Sequence, residues 1–351
     1  MANVQPQFDE FHKAIRLSRF GENQTLRDKR DIIRKKLCER LPGVFERHKE
    51  VCLPFYFRDQ GSYEMGTGTK PLNGDFDIDQ GLYFEVSTTT YPNPVVLKQR
   101  VFEALEGHTK DVRIRRSCVT VFYQRDQEPI YHVDIAVYAD GSLEPDGKAR
   151  LAKGREHSAP EFRFWEVSNP QGLTEKIFAR FEGLARRQFR HNVRYLKRWR
   201  DENFSSSGYA APLGIGLTIM AYDDFRPTFS DPFAGTPDDL EALRTLIATS
   251  LAKFRDVWDD ETQTWARRLV VTLPVEPWND LFARMTNAQM ADFETKLKTL
   301  LAALEAAKRA VDPVDACTVL QQVFGRDFPV PPREETAKRH APAIISSSSS
   351  A

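Results

Sequence analysis

The chain is 351 residues long, 41% hydrophobic and 28% charged, enough for a sizeable core and for one or two domains of ordinary globular composition. Its 50 Lys and Arg balance 50 Asp and Glu, and a formal charge of zero argues against a protein built for non-specific binding of DNA or RNA, though not against a local basic groove. No apolar run nears the ~18 residues of a membrane span, the N-terminal stretch MANVQPQFDEFHKAI has no charged-then-apolar leader pattern, and Cys38, Cys52, Cys118 and Cys317 lack Cys-x-x-Cys spacing, so the expectation is a cytoplasmic protein with reduced thiols and no zinc site.

The first fifty residues read as helical. Phe8, Phe11, Ile15 and Leu17 open an apolar stripe, and Ile33, Leu37 and Leu41 recur every four residues, with Pro42-Gly43 placed to turn or kink the run. Val51 to Phe57 is a short apolar strand that leads into Gly61-Ser62. The segment GSYEMGTGTKPLNGDFDIDQGLYF, from Gly61 to Phe84, then carries the chemistry. Side chains alternate along a strand, so Asp75, Asp77 and Asp79 share one face while Phe76 and Ile78 point into a core. Acids two apart lie roughly 6–7 Å from each other at Cα. That spacing can bracket a pair of divalent ions, as phosphoryl and nucleotidyl transfer require. Three acids on one face repel each other without a cation.

Val95 to Leu105 has a helical pattern after the Tyr91-Pro92-Asn93-Pro94 break. Cys118 to Tyr123 and Ile130 to Tyr138 look like paired strands. In the second, Asp134 lies on the opposite face from Val133, Ile135 and Val137, so a neighbouring strand could set it beside Asp77 and Asp79. An Asp-x-Asp alone is equally a solvated strand face, and Gly-Ser alone is usually a turn. The order of Gly-Ser, Asp-x-Asp and a later lone Asp favours a nucleotidyltransferase. Asp140 to Pro160 reads as a long loop, and a soft boundary falls near Asn169-Pro170-Gln171-Gly172. From Thr174 to about Leu304 the pattern is mainly helical. Within Ala185 to Asp201, Phe189, Val193, Leu196 and Trp199–Arg200 mark an inner edge, and Arg187, Arg190 or His191, Arg194 and Lys197–Arg198 form a basic face. That face is either solvated or turned toward nucleotide phosphates. Asp280 stands where it could cap a following helix. Ala288 to Ala310 is a late helix with Phe293, Leu297, Leu300 and Leu304 on one side. After Pro329-Val330-Pro331-Pro332, a polar tail containing Ser346 to Ser350 is expected to be disordered.

Four motifs, Gln60-Gly61-Ser62-Tyr63, Asp77-Ile78-Asp79-Gln80-Gly81-Leu82-Tyr83, His132-Val133-Asp134-Ile135 and Tyr195-Leu196-Lys197-Arg198-Trp199-Arg200-Asp201, occur in one order across most of the chain. Together they resemble the bacterial CD-NTases, relatives of cyclic GMP–AMP synthase. The pattern departs at Gln80, where Vibrio-type members carry an acid.

The resemblance implies an α+β, bilobal, polymerase-beta-like nucleotidyltransferase fold, with a mixed-sheet lobe and a helical C-terminal lobe. The implied domains are a catalytic core over 1–169 with a long N-terminal helix, a helical lobe over 170–328 that closes the cleft, and a disordered tail over 329–351. Asp77, Asp79 and Asp134 become the catalytic and metal residues, holding two Mg²⁺ with Mn²⁺ as the alternative. Gln60, Gly61, Ser62, Tyr63, Arg115 and Lys197 become nucleotide contacts. The expected activity is synthesis of a cyclic di- or trinucleotide messenger from ATP, GTP or a pyrimidine NTP, with release of pyrophosphate, in anti-phage signalling through a downstream effector. The family also suggests a ubiquitin-transfer-like enzyme acting on the C-terminus, no stable nucleic-acid partner and no membrane. The rival readings are a tRNA- or poly(A)-end adding or antibiotic-modifying nucleotidyltransferase, and an inactive nucleotide-binding scaffold.

Overall fold

Two helices open the chain and divide between two cores. α1 (Gln5–Ile15) and α2 (Glu22–Arg47) were both expected with the catalytic core. α2 does bury Leu26, Ile33, Leu37 and Leu41 against the sheet. α1 instead buries Phe8, Phe11 and Ile15 in the helical core. Pro42 does not end α2, which runs on to Arg47. The carbonyl deprived of its helical partner belongs to Cys38, an exposed residue, where water can replace the missing bond. The computed structural model describes residues 2–17, 22–72, 74, 76–125, 128–205, 210–260 and 262–333.

The first lobe continues with β1 (Phe55–Asp59), the one-turn α3 (Gly61–Glu64), β2 (Phe76–Phe84), α4 (Val95–Leu105), β3 (Asp111–Ile114), β4 (Val119–Arg125) and β5 (Glu128–Ala139). The strands lie in the order β1-β2-β5-β4-β3. β2 and β5 are parallel, joined by the long connection through α4, and the other pairs in this order are antiparallel. Alternation along β2 and β5 buries Ile78, Leu82, Val133, Ile135 and Val137 against α2 and α4 and leaves the acids on the opposite face. The stretch expected as one long loop contains β6 (Arg150–Lys153), and β7 (Phe164–Val167) follows just beyond it; the two extend the sheet from the far end of β5. Each has only four residues, too few for an alternating pattern to stand out.

The second lobe starts at α5 (Pro170–Arg180), whose N-cap Asn169 accepts from the Gly172 amide at 2.8 Å. α6 (Gly183–Asn203) and α7 (Gly214–Asp224) follow. The small hairpin β8 (Phe229–Asp231) and β9 (Thr236–Pro237) leads to α8 (Asp239–Ala252), and a second hairpin, β10 (Arg255–Asp259) and β11 (Thr264–Arg268), comes next. Neither hairpin was expected in a segment read as helical. α9 (Asn287–Arg309) starts on a capping box between Thr286 and Gln289 and buries Phe293, Leu297, Leu300 and Leu304 completely. α10 (Pro313–Phe324) was missed. Its signal is Asp312 as N-cap followed by Pro at the first helical position. Asp280 caps no helix: its Oδ1 accepts from the amides of Val271 and Phe282, both at 3.0 Å, and closes the loop before α9.

Candidate active site

The parallel register of β2 and β5 sets Asp79 opposite Asp134 and Asp77 opposite His132. Asp77, His132 and Asp134 each offer a ligand atom within 4.8 Å of the others, and His132 Nε2 lies 3.2 Å from Asp77 Oδ1. β4 adds Thr120 across from Asp134, and its hydroxyl donates to Asp134 Oδ1 at 2.5 Å. Asp75 lies outside the described residues. Burial pushes the Asp79 carboxyl well above the usual carboxylate range, and the charges of Asp77 and Asp134 add to the shift. Asp134 is raised for the same reasons, first burial and then Asp77, partly offset by the Thr120 hydrogen bond. The site therefore disfavours the simultaneous ionisation of Asp79 and Asp134 beside Asp77.

The turn after β1 is built around Asp79. Gly61 has φ +74°, and a Cβ there would lie 1.8 Å from Asp79 Oδ2. Only a residue without a side chain lets the backbone pass so near this carboxylate. Gln60, Gly61 and Ser62 line a cleft of about 440 Å³ together with Asp77, Asp79, Lys197, Arg200 and Asp201, within the usual size of a small-molecule site. Tyr63 turns the other way. Its ring packs on the sheet-lobe core, and its hydroxyl accepts from Arg27 Nε on α2.

Arg187 is exposed, but from Arg194 onward the basic face of α6 is not solvated. Arg194 donates to the Gly66 and Gly68 carbonyls, at 2.5 and 3.1 Å, and to His12 Nε2 at 2.9 Å. Accepting that bond requires a neutral ring, and burial with the nearby His191 and Arg194 holds the His12 pKa down to about 2. Arg198, 2% exposed, donates to the Lys70 carbonyl at 2.9 Å and pairs with Asp327. Lys197 Nζ reaches the Thr67 carbonyl at 3.2 Å. The Gly/Thr-rich loop over 66–70 is thus held through its own carbonyls by three cations within little more than one helical turn. Lys197 and Arg200 are the cations of this helix that also line the cleft, with Asp201 beside them. Burial, then the charges of Arg200 and Arg194, bring the Lys197 pKa down to about 7.

Residues 54–138 match the family model for the cyclic GMP-AMP synthase DncV-like nucleotidyltransferase domain. The sheet lobe is thus similar to a DncV-like nucleotidyltransferase domain. Solved structures agree on the fold over nearly the whole length. Vibrio cholerae DncV cyclic AMP-GMP synthase is 16% identical, with a TM-score of 0.67 over 93% of this chain and 97% of that one. The CD-NTase CdnG of Bradyrhizobium diazoefficiens, solved with GTP, is 18% identical, with a TM-score of 0.69 over 93% and 97%. DncV bound to the linear intermediate 5′ pppA(3′,5′)pG is 17% identical, with a TM-score of 0.65 over 92% and 97%. The fold is the α+β, polymerase-beta-like nucleotidyltransferase fold with a helical C-terminal region.

Gln80 departs from the Vibrio-type acid for a visible reason. It is fully buried on the face away from the cleft, where its Oε1 accepts from Arg34 Nε at 2.8 Å and its Nε2 donates to the Arg58 carbonyl at 2.7 Å. An acid there could not donate to Arg58. Arg115 stands at the end of β3, its guanidinium 5.0 Å from the Phe122 ring centre, and its charge favours the ionised form of Asp134. It is on the Asp134 side of the site and does not line the cleft beside Lys197. The adjacent Lys98, fully buried, donates to the carbonyls of Arg115, Arg116 and Gly154 and fixes this turn. Gly214 leaves room for Arg200, whose Nη1 would be 2.9 Å from a Cβ at that position. Sequence reasoning put Arg200 on the inner edge of α6 and gave Asp201 no role. Both line the cleft with Lys197, a juxtaposition readable from the i, i+3, i+4 spacing.

Proposed function

We propose that this chain synthesises a cyclic di- or trinucleotide from ATP and other NTPs, with Asp77, Asp79 and Asp134 as the catalytic carboxylates. The observation that carries the reading is that Asp77 and Asp79 line one cleft with the Gly61-Ser62 turn and Lys197, while Asp134 offers a ligand atom within 4.8 Å of that of Asp77. All three acids offer hard oxygen donors, and their mutual repulsion calls for a cation, so the site fits Mg²⁺, with Mn²⁺ as a substitute. When bound, two such ions supply neutralisation of the triphosphate and acidification of the attacking hydroxyl.

The chain's own residues do the rest. Lys197 and Arg200 hold the triphosphate, the first as a point charge and the second as a planar fork. The Ser62 hydroxyl and the amides of its turn bind phosphate oxygens. A ribose hydroxyl oxygen forms a bond to the α-phosphorus, the bond from that phosphorus to the pyrophosphate oxygen breaks, and Asp134 takes the hydroxyl proton. Thr120 holds one oxygen of Asp134 and so orients the other. A second turnover in the same cleft closes the ring, with Arg115 near the acceptor nucleotide. Residues 170–328 act as the lobe that closes over the substrates, and 1–169 as the catalytic core, with α1 packed under the other lobe.

Incubation with the four labelled NTPs and Mg²⁺, followed by product mass, tests the reading. A cyclic product supports it. Transfer to RNA or to an antibiotic would make the chain another kind of nucleotidyltransferase, and absence of turnover would leave a nucleotide-binding scaffold. The resemblance extends the proposal to anti-phage signalling through an effector, tested by phage challenge with and without intact carboxylates. The proposed ubiquitin-transfer-like partner concerns the tail. Residues 334–351 lie outside the described residues, and co-expression with such an enzyme should yield a higher-mass conjugate.

Lys197→Ala should raise KM for ATP about tenfold or more, the scale of a charge-assisted contact. Phe189→Leu, on the core side of the same helix at 1% exposure, should leave KM unchanged while lowering stability by about 1 kcal/mol. Equal KM in Lys197→Ala and wild type would remove Lys197 from the site.

A further inference from the structure

The face of the sheet that carries Asp79 and Asp134 continues below the cleft. Two residues along, Gly81 opposes Ala136; two further, Tyr83 opposes Tyr138, and Tyr56 on β1 opposes Tyr83. The three rings form a ladder, with centroids 5.3 Å apart for Tyr56–Tyr83 and 4.4 Å for Tyr83–Tyr138, each pair within 7° of parallel. Tyr138 is 2% exposed, so the ladder fixes its ring in place. Its hydroxyl is hydrogen-bonded to Ser168, just before the N-cap of α5, and donates to Gln60 Oε1 at 3.2 Å.

Gln60 Oε1 rests on bare backbone. A Cβ at Gly81 would lie 2.9 Å from that oxygen and 2.7 Å from the Tyr83 ring, so glycine is what lets the amide settle there. An amide carries its oxygen and its NH₂ at opposite corners. With the oxygen held against Gly81 and Tyr138, the NH₂ is the corner left for the cleft, which Gln60 lines beside Gly61, Ser62 and Asp79. Among the described residues no protein group accepts from it. Without the tyrosine hydroxyl the amide could turn over and present its oxygen to an anion instead.

We propose that Tyr138 is a positioning residue for nucleotide binding: its hydroxyl locks the Gln60 amide so that the NH₂ donates to a phosphate oxygen. This rests on the reading of the cleft as a triphosphate site. Tyr138→Phe keeps the ring ladder and removes only the hydroxyl. It should raise KM for ATP about tenfold, with kcat within about twofold. Gln60→Ala should raise KM by the same factor, and the double variant should be no worse than Gln60→Ala alone. Gln60→Glu keeps an acceptor for Tyr138, so its melting temperature should match wild type, yet it sets a carboxylate against phosphate. Its affinity for a non-hydrolysable ATP analogue with Mg²⁺, by calorimetry, should fall about a hundredfold or more. Wild-type KM in Tyr138→Phe, additive losses in the double variant, or full affinity in Gln60→Glu would overturn the proposal while leaving the cleft as a triphosphate site. A wild-type chain that does not bind the analogue would overturn both.

Discussion

Asp77→Asn combined with Asp79→Asn abolishes product, a loss on the order of a thousandfold or more, because several kcal/mol of charge stabilisation at the reacting phosphate depend on these acids. The same double variant is more stable than wild type without metal at neutral pH. The sign follows from the carboxyl of Asp79, which burial, Asp77 and Asp134 hold well above its usual range. The folded state grips that proton more tightly than the unfolded chain does. The resulting stability is fully present below the unfolded carboxyl pKa of about 3.9 and is lost as pH rises through the raised folded value. At neutral pH wild type bears the cost of burying Asp79 beside Asp77 and Asp134, which the Asn side chains remove. Scanning calorimetry without metal should therefore show a higher melting temperature for the variant, with the gap closing on acidification. Added Mg²⁺ should stabilise wild type and not the variant. Turnover by the variant at wild-type rates, or equal stabilisation of both by Mg²⁺, would remove the acids from metal binding.

Gly61→Ala should cost activity about a hundredfold with the fold retained. Its φ of +74° makes alanine unfavourable there by about 1–2 kcal/mol. The larger effect is local, since the new Cβ would sit 1.8 Å from Asp79 Oδ2 and must displace that carboxylate. A misplacement on the order of 1 Å is enough to cost a hundredfold in a site that works by positioning. Gly43, inside α2 with nothing within 4 Å of its notional Cβ, is the control. Gly43→Ala should stabilise by up to about 1 kcal/mol and leave turnover unchanged. Steady-state rates beside melting temperatures separate the two, and a fully active Gly61→Ala would mean that Asp79 tolerates the shift.

The parts of the fold set by local pattern were legible before any coordinates. Alternation marked the acidic face of β2 and the lone acid of β5, and four-residue spacing marked α2 and α9. What was illegible depends on partners far along the chain. The cations of α6 look solvated in sequence because their partners are the carbonyls of residues 66–70, and a carbonyl carries no residue-type signature. Tyr63 sits within the Gln60-Gly61-Ser62-Tyr63 motif, yet faces Arg27 because one helical turn rotates it away from the cleft. α1 joined the other lobe although its apolar stripe is like that of α2, since a stripe says that a face is buried and not against what. The hidden role of Gln60 lay in register: only the pairing of β1, β2 and β5 sets Tyr138 beneath it.

The grip of α6 on residues 66–70 gives the phosphate loop two anchorages on different bodies. Its start, at Gly61 and Ser62, is welded to the sheet beside Asp79. Its end hangs from Arg194, Lys197 and Arg198 on the helical lobe. The few residues between form a short tether, so a rotation of one lobe against the other would pull on the Gly61-Ser62 turn and, on the function proposed above, on the triphosphate it would hold.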